Sequence, residues 1–85
     1  MKKRINFQLL APGASEVSLA GTFNGWDPAA RVLKRGKGDV FRTWMNLPDG
    51  THEYRFIVDG QWREDPACDQ HKPTPYGGSN SVLNL

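Results

Sequence analysis

Trp26 and Trp62 stand where alternating apolar runs break into turns, Trp26 closing Phe23-Asn24-Gly25-Trp26 and Trp62 closing Val58-Asp59-Gly60-Gln61-Trp62. An indole in a turn gains little from core burial, so both rings read as flat apolar surfaces for a ligand. Acid–base chemistry has weaker support. Asp27, Asp59, Glu64 and Asp65 are carboxylates, and glycoside hydrolysis needs a pair of them. Each stands in a turn with an ordinary local role, however, and an open face has no enclosed cleft to raise an acid's pKa. Cys68 and His71 have ligand-like spacing, but one such pair is too little for zinc. No Ser/His/Asp or phosphate-cradling pattern is present, so neither a metal nor a cofactor is implied.

The elements that must position these rings follow from periodicity and punctuation. Ile5, Phe7 and Leu9 alternate with Asn6 and Gln8 as a strand with one wet face, stopped by Pro12-Gly13. Val17 and Leu19 alternate with Glu16, Ser18 and Ala20 in a second strand that ends near Gly21 and the turn signal Asn24-Gly25. Asp27-Pro28 prevents the chain from running straight on. Arg31 to Lys34 reads as a short polar edge strand, turned by Gly36-Lys37-Gly38-Asp39 into a strand from Val40 to Leu47. There Phe41, Thr43, Met45 and Leu47 share one face, and Trp44 falls on the other.

After the turn Pro48-Asp49-Gly50, Tyr54, Phe56 and Val58 alternate with Glu53, Arg55 and Ile57. Asp59-Gly60 supplies the positive φ of a tight hairpin into Gln61-Trp62-Arg63. Asp65 to Gly78, with three prolines, two glycines and no apolar period, reads as a long loop of the kind that tends to be functional or disordered. Ser81 to Leu85 closes the chain as a last strand. Short strands, turn residues between them and no credible helix predict an antiparallel β-sandwich.

At 85 residues the chain is a single domain, residues 1–85, with one core. Charged residues make up 24% and the net charge is +2, which is no electrostatic footprint for nucleic acid; the basic start Lys2-Lys3-Arg4 reads as a solvated terminus. One cysteine, Cys68, forbids an internal disulfide and fits a reducing cytoplasm. Asn6, Gln8, Pro12 and Glu16 interrupt what would have to be the apolar region of a signal peptide after Met1-Lys2-Lys3-Arg4. No run of about 18 apolar residues is present for a membrane helix.

Gly21-Thr22-Phe23-Asn24-Gly25-Trp26, Leu47-Pro48-Asp49-Gly50, Tyr54 to Trp62, Asp65-Pro66 and Tyr76-Gly77-Gly78-Ser79-Asn80-Ser81-Val82 together resemble the family 48 carbohydrate-binding module. That family includes the glycogen-binding domain of AMP-activated kinase β subunits and the early-set N-terminal domain of isoamylases and branching enzymes. The resemblance runs from about Phe7 to Leu85 with the motifs in order. It implies an all-β, immunoglobulin-like early-set sandwich that binds α-1,4-linked glucans (glycogen, starch, maltooligosaccharides) without cleaving them.

By the same resemblance Trp26 and Trp62 match two tryptophans that stack on glucose rings. Arg55 and Asn80 match polar residues that hydrogen-bond sugar hydroxyls, and Tyr76 matches an apolar contact with the glucan. The chain departs from the glycogen-binding pattern at two of these positions. Lys is usual where Arg55 stands, and a rigid planar fork is not equivalent to a rotatable ammonium. An aliphatic residue is frequent at Tyr76, where a phenol adds a third plane and a polar tip. The set is chemically apt, because a pyranose has apolar C–H faces rimmed by hydroxyls and needs aromatic planes flanked by a few directional polar groups.

Structural roles stand beside these. Trp26 also fits a plug at one end of the sandwich, Trp62 a ring laid against Arg55, Asn80 a turn residue after Gly77-Gly78-Ser79, and Arg55 a partner of Glu53, Glu64 or Asp65. Trp44 has no sugar-contact counterpart and reads as packed under a long side chain, or else as part of a partner surface. Asp49, Gly50, Asp59 and Gly60 read as turn formers. Beyond a glucan, the partners implied are an amylolytic enzyme or a kinase-type protein. A protein-docking domain, with Trp44 and the strand from Arg31 as its surface, is the rival reading. An accessory N-terminal module of a family 13 glycoside hydrolase differs in context but not in chemistry. Free-standing and excised forms both fit a chain running from Met1 to the last strand.

Overall fold

The structure is a computed structural model describing residues 2–85; Met1, where the basic start of the chain begins, lies outside the described residues. Eight strands follow one another: β1 Lys3–Leu10, β2 Val17–Gly21, β3 Lys34–Arg35, β4 Val40–Leu47, β5 Thr51–Val58, β6 Gln61–Arg63, β7 His71–Pro73 and β8 Ser79–Asn84. They form two antiparallel sheets. One has the order β1-β4-β3, and the other β2-β5-β8-β7, with β6 paired to the far end of β5. This is the antiparallel β-sandwich that the alternation predicts and the immunoglobulin-like all-β architecture that the resemblance implies. Among the described residues no helix is long and apolar enough to cross a membrane.

The two inner faces supply the core. Phe7 and Leu9 of β1 and Phe41, Met45 and Leu47 of β4 meet Val17, Leu19, Tyr54 and Phe56 of the opposite sheet, all of them buried. Phe7 packs edge-on to Tyr54 with ring centroids 5.1 Å apart. Alternation thus places odd-numbered residues of β1 and β4, and even-numbered residues of β5, inside. On β5 this turns Glu53, Arg55 and Ile57 outward.

Two expectations need correction. The edge strand expected over Arg31 to Lys34 is a strand only at Lys34–Arg35, and all of β2 is buried. The segment from Arg31 covers the open edge of β2 with its backbone: Leu19 N donates to Arg31 O at 2.9 Å and Leu33 N to Val17 O at 2.8 Å. Only its last part, Lys34 and Arg35, pairs with β4. The chain therefore crosses from one sheet to the other here and shields an edge that would otherwise invite pairing.

The second correction concerns Asp65 to Gly78, which is not loop throughout. His71–Pro73 is a strand, in register with Ser79, Asn80 and Ser81. Pro73 at its end and Pro75 two residues beyond conceal it from periodicity, but Pro73 is tolerable because β7 lies at the sheet edge.

Turn chemistry is as expected. Asp59 and Gly60 have φ of 48° and 85°, which gives the two-residue hairpin twist that joins β5 to β6. The Asp59 carboxylate accepts from the backbone N–H of Ser15 and of Glu16, each at 2.9 Å. It ties the β1–β2 connection to the hairpin, a structural role.

Candidate functional site

The outer face of the larger sheet carries the site. Register places Ile57 opposite Trp62, Tyr54 opposite Ser81 and Lys72 opposite Asn80. With Ser81 turned inward, Asn80 and Lys72 join Arg55, Glu53 and Trp62 on the outward side. These residues, with Thr22, Trp26 and the Pro73–Gly77 segment, line a groove of about 600 Å³. All five residues expected from the sequence, Trp26, Arg55, Trp62, Tyr76 and Asn80, are brought together in it.

Trp26 is held by its own turn. The Asn24 side chain accepts from Gly21 N and donates to Leu19 O, both at 3.0 Å, and Trp26 N donates to Gly21 O at 2.9 Å. These bonds keep Gly25 and then Trp26 at φ of 64° and 60°. A left-handed backbone at a bulky residue costs about 1–3 kcal/mol and persists only where surroundings enforce it. The consequence is a division of labour between two aromatics three residues apart. Phe23 turns inward against Phe7, with ring centroids 6.0 Å apart, while Trp26 turns to the groove.

There Trp26 meets Trp62 at 6.4 Å between centroids, with planes inclined by 42°. Two tilted planes form a shallow curved wall rather than a closed slot. Trp26 is half-buried and stands outside the core cluster, and Trp62 is 44% exposed. Neither is a core plug. Tyr76, at the tip between β7 and β8, is 96% exposed.

The floor is a continuous polar network. Arg55 Nε donates to Asn80 Oδ1 at 2.7 Å, and Asn80 Nδ2 donates to Glu53 Oε1 at 3.1 Å. The other Glu53 oxygen faces the Lys72 ammonium at 3.8 Å. Arg55 Nη2 reaches Thr74 Oγ1 at 3.3 Å and Gly77 O at 3.2 Å. Arg55 therefore pairs with none of Glu53, Glu64 or Asp65, and Asn80 is more than a turn residue.

The carboxylates considered for acid–base chemistry lie elsewhere or are engaged locally. Asp27 accepts from Ala29 N at 2.9 Å. Asp59 holds the hairpin, and Glu64 pairs with His71 at 3.0 Å. Asp65 is buried and accepts from the Tyr54 hydroxyl at 2.6 Å, while its own N–H donates to Ser81 Oγ at 3.0 Å. Burial, and then this hydrogen bond, push the Tyr54 phenol well above its ordinary pKa. Cys68 directs its thiol to the carbonyls of Gln70 and Val82. Among the described residues no group of three or more His, Cys, Asp or Glu is placed to hold a metal ion.

Sequence reasoning missed Glu53, Thr22, Lys72 and Thr74 as groove residues. Glu53 was findable, since it stands two residues before Arg55 on a strand and must share its face. Lys72 was not, because its strand is visible only through its pairing with β8. Trp44 lies on the outer face of the opposite sheet, 49% exposed, with the Arg4 guanidinium 4.4 Å from its ring centroid. It is thus both half-covered by a long side chain and far from the groove in sheet position.

An immunoglobulin-like sandwich with an aromatic-walled, polar-floored groove on one outer face defines a carbohydrate-binding module. Residues 4–85 match the family described as the glycogen recognition site of AMP-activated protein kinase, and the chain belongs to that family. Protein PTST homolog 2, chloroplastic, of Arabidopsis thaliana is 47% identical over 53 residues, which are 62% of this chain and 10% of that protein. The 5'-AMP-activated protein kinase subunit beta-1 of Sus scrofa is 44% identical over 55 residues, 65% of this chain and 43% of that subunit. The beta-2 subunit of Mus musculus is 40% identical over 55 residues, 65% of this chain and 20% of that subunit. The chain thus spans less than half the length of each of these relatives.

Proposed function

We propose that this domain binds linear α-1,4-glucans in the groove of its larger sheet and does not cleave them. The observation that carries this is the convergence of Trp26, Trp62 and Tyr76 around the Arg55–Asn80–Glu53 floor. Trp26 and Trp62 serve as stacking platforms for successive glucose rings, their inclination following the curvature of a helical α-glucan. Arg55 keeps Nη1, and Lys72 its ammonium, as donors to hydroxyls; Asn80 and Glu53 hold that floor in register. Hydrolysis needs two opposed carboxyl groups. Among the described residues Glu53 is the one carboxylate that lines the groove, and both its oxygens are engaged.

Retention on immobilised glycogen, released by maltoheptaose and not by glucose, is the expected result. Passage through the column unretarded, or release of reducing sugar in proportion to added protein, contradicts the reading. A single cysteine, Cys68, is in keeping with a reducing, cytoplasmic setting.

A second reading, docking to an amylolytic enzyme or kinase-type protein, has one observation in its favour. The smaller sheet's outer side exposes Trp44 beneath Arg4, with Leu10 and Val32 also exposed, and tryptophan and arginine are the residues that dominate protein contacts. Trp44→Ala leaves glycogen retention unchanged if this face serves a protein and the groove serves the glucan.

A further inference from the structure

Arg55 does more than line the groove. Its side chain is the only one in the network that grips the β7–β8 tip on both sides of Tyr76, through Thr74 Oγ1 before it and Gly77 O after it. The tip is a tight turn whose Gly77 N–H donates to Thr74 O at 3.3 Å, with Thr74 Oγ1 closing on Gly77 O at 2.9 Å. Pro75 and Tyr76 are its central pair, and Pro75 fixes one φ in advance. Gly78, at φ of 68°, brings its backbone against the guanidinium, where an added Cβ would lie 3.4 Å from Nη1.

Beyond the turn's own bonds, which include Thr74 N donating to Gly78 O at 3.1 Å, the tip is tied to the sheet face by Arg55, and the Tyr76 ring is almost wholly in solvent. An exposed ring on an unsupported tip would lose, in becoming ordered on a ligand, much of what stacking provides. Three bonds from one planar fork, Nε to Asn80 and Nη2 to Thr74 and Gly77, remove that loss beforehand. Lysine cannot do the same. A single ammonium that reaches Asn80 has no rigid second arm for the tip.

We propose that Arg55 is a positioning residue that locks the β7–β8 tip, so that Tyr76 stands as a pre-set third wall of the groove and extends the site by one sugar beyond the Trp26–Trp62 pair. This rests on the glucan reading above. The Arg fork and the aromatic tip then form one unit: Tyr76 is effective because Arg55 is arginine. Glucan length is the corollary. Ligands long enough to pass from the tryptophans to the tip gain from Tyr76, and shorter ones do not.

The test uses the full chain, its Arg55→Lys and Tyr76→Ala variants and the double variant. Backbone 15N relaxation of the sugar-free protein is expected to show increased motion confined to residues 74–78 in Arg55→Lys, with the thermal midpoint little changed. In maltoheptaose titrations Tyr76→Ala is expected to weaken binding about fivefold, the low end of aromatic stacking, in the parent background and by less than twofold in the Arg55→Lys background. Tyr76→Ala is expected to cost maltotriose proportionally less affinity than maltoheptaose, because the shorter sugar does not pass from the tryptophans to the tip.

An unchanged tip in Arg55→Lys overturns the proposal. So does an equal loss from Tyr76→Ala in both backgrounds, which would make the two residues independent. If the parent protein binds no maltoheptaose, the glucan reading fails and Tyr76 loses its role as a wall, whereas the relaxation data still decide whether Arg55 locks the tip.

Discussion

Replacing Trp62 by alanine separates the groove from the core in one experiment. Trp62 is 44% exposed, so just over half of a side chain that buries roughly 150–250 Å² when fully enclosed is out of water. Truncation forfeits about 100 Å² of apolar burial, or at most roughly 2–3 kcal/mol. A domain of this length has about 4–13 kcal/mol to lose. Trp62→Ala is therefore expected to stay folded, its thermal midpoint lowered by about 10 °C. Phe56→Ala, at a position with 0% exposure, should cost about 3–5 kcal/mol, a clearly larger loss of urea stability than Trp62→Ala.

Binding should respond in the opposite order. Stacking of a planar ring on an aromatic side chain is worth about 1–3 kcal/mol, and a saturated sugar belongs at the low end, a five- to tenfold loss of affinity. Urea denaturation followed by circular dichroism gives the first quantity, and calorimetric titration with maltoheptaose the second. A Trp62→Ala protein unfolded at 25 °C would make the indole a core residue. A folded variant with unchanged affinity would remove it from the site.

Two further outcomes follow from the packing. Burial and the Asp65 hydrogen bond hold the Tyr54 phenol above its ordinary pKa, so the folded state keeps that proton longer than the unfolded chain does. Its contribution to stability is complete below pH 10 and declines as pH rises above it, by roughly tenfold in the folding equilibrium per pH unit. Urea midpoints from pH 9 to 12 should therefore fall more steeply for the parent than for Tyr54→Phe; parallel lines would contradict this. At Gly21 an added Cβ would lie 2.5 Å from Glu53 O and 2.7 Å from the Phe23 ring. Gly21→Ala should cost about 1–3 kcal/mol by overpacking and disturb the Trp26 turn that hangs from Gly21 O, so a variant with the parent's urea midpoint and glucan affinity would refute the close approach.

Much of the fold was legible because its strands alternate and its turns carry explicit signals. Ile5-Phe7-Leu9, Phe41 to Leu47 and Tyr54-Phe56-Val58 each expose one face to the core, and Asp59-Gly60 makes the hairpin its residues require. Where the chain changes sheets, pattern fails. The segment from Arg31 pairs first with β2 and then with β4, so no single face repeats along it, and the edge of β2 is capped by residues far along the sequence, Arg31 on Leu19 and Leu33 on Val17. β7 was hidden for another reason: an edge strand with Pro73 at its end has neither alternation nor strand propensity. In the site, Trp26 and Trp62 announced themselves as large rings in turns. The network did not, since Glu53, Lys72 and Thr74 acquire meaning only when the β5, β7 and β8 register sets them beside Arg55 and Asn80.

The chain has three tryptophans, and they divide between the two outer faces, Trp26 and Trp62 in the groove and Trp44 on the opposite sheet. Their three indole N–H resonances report on the central claim without any substitution beyond those needed for assignment. On titration with maltoheptaose to millimolar concentration, the Trp26 and Trp62 signals should move together along one saturating curve while Trp44 stays in place. Movement of Trp44 alone, or no movement of any of the three, would contradict glucan binding in the groove.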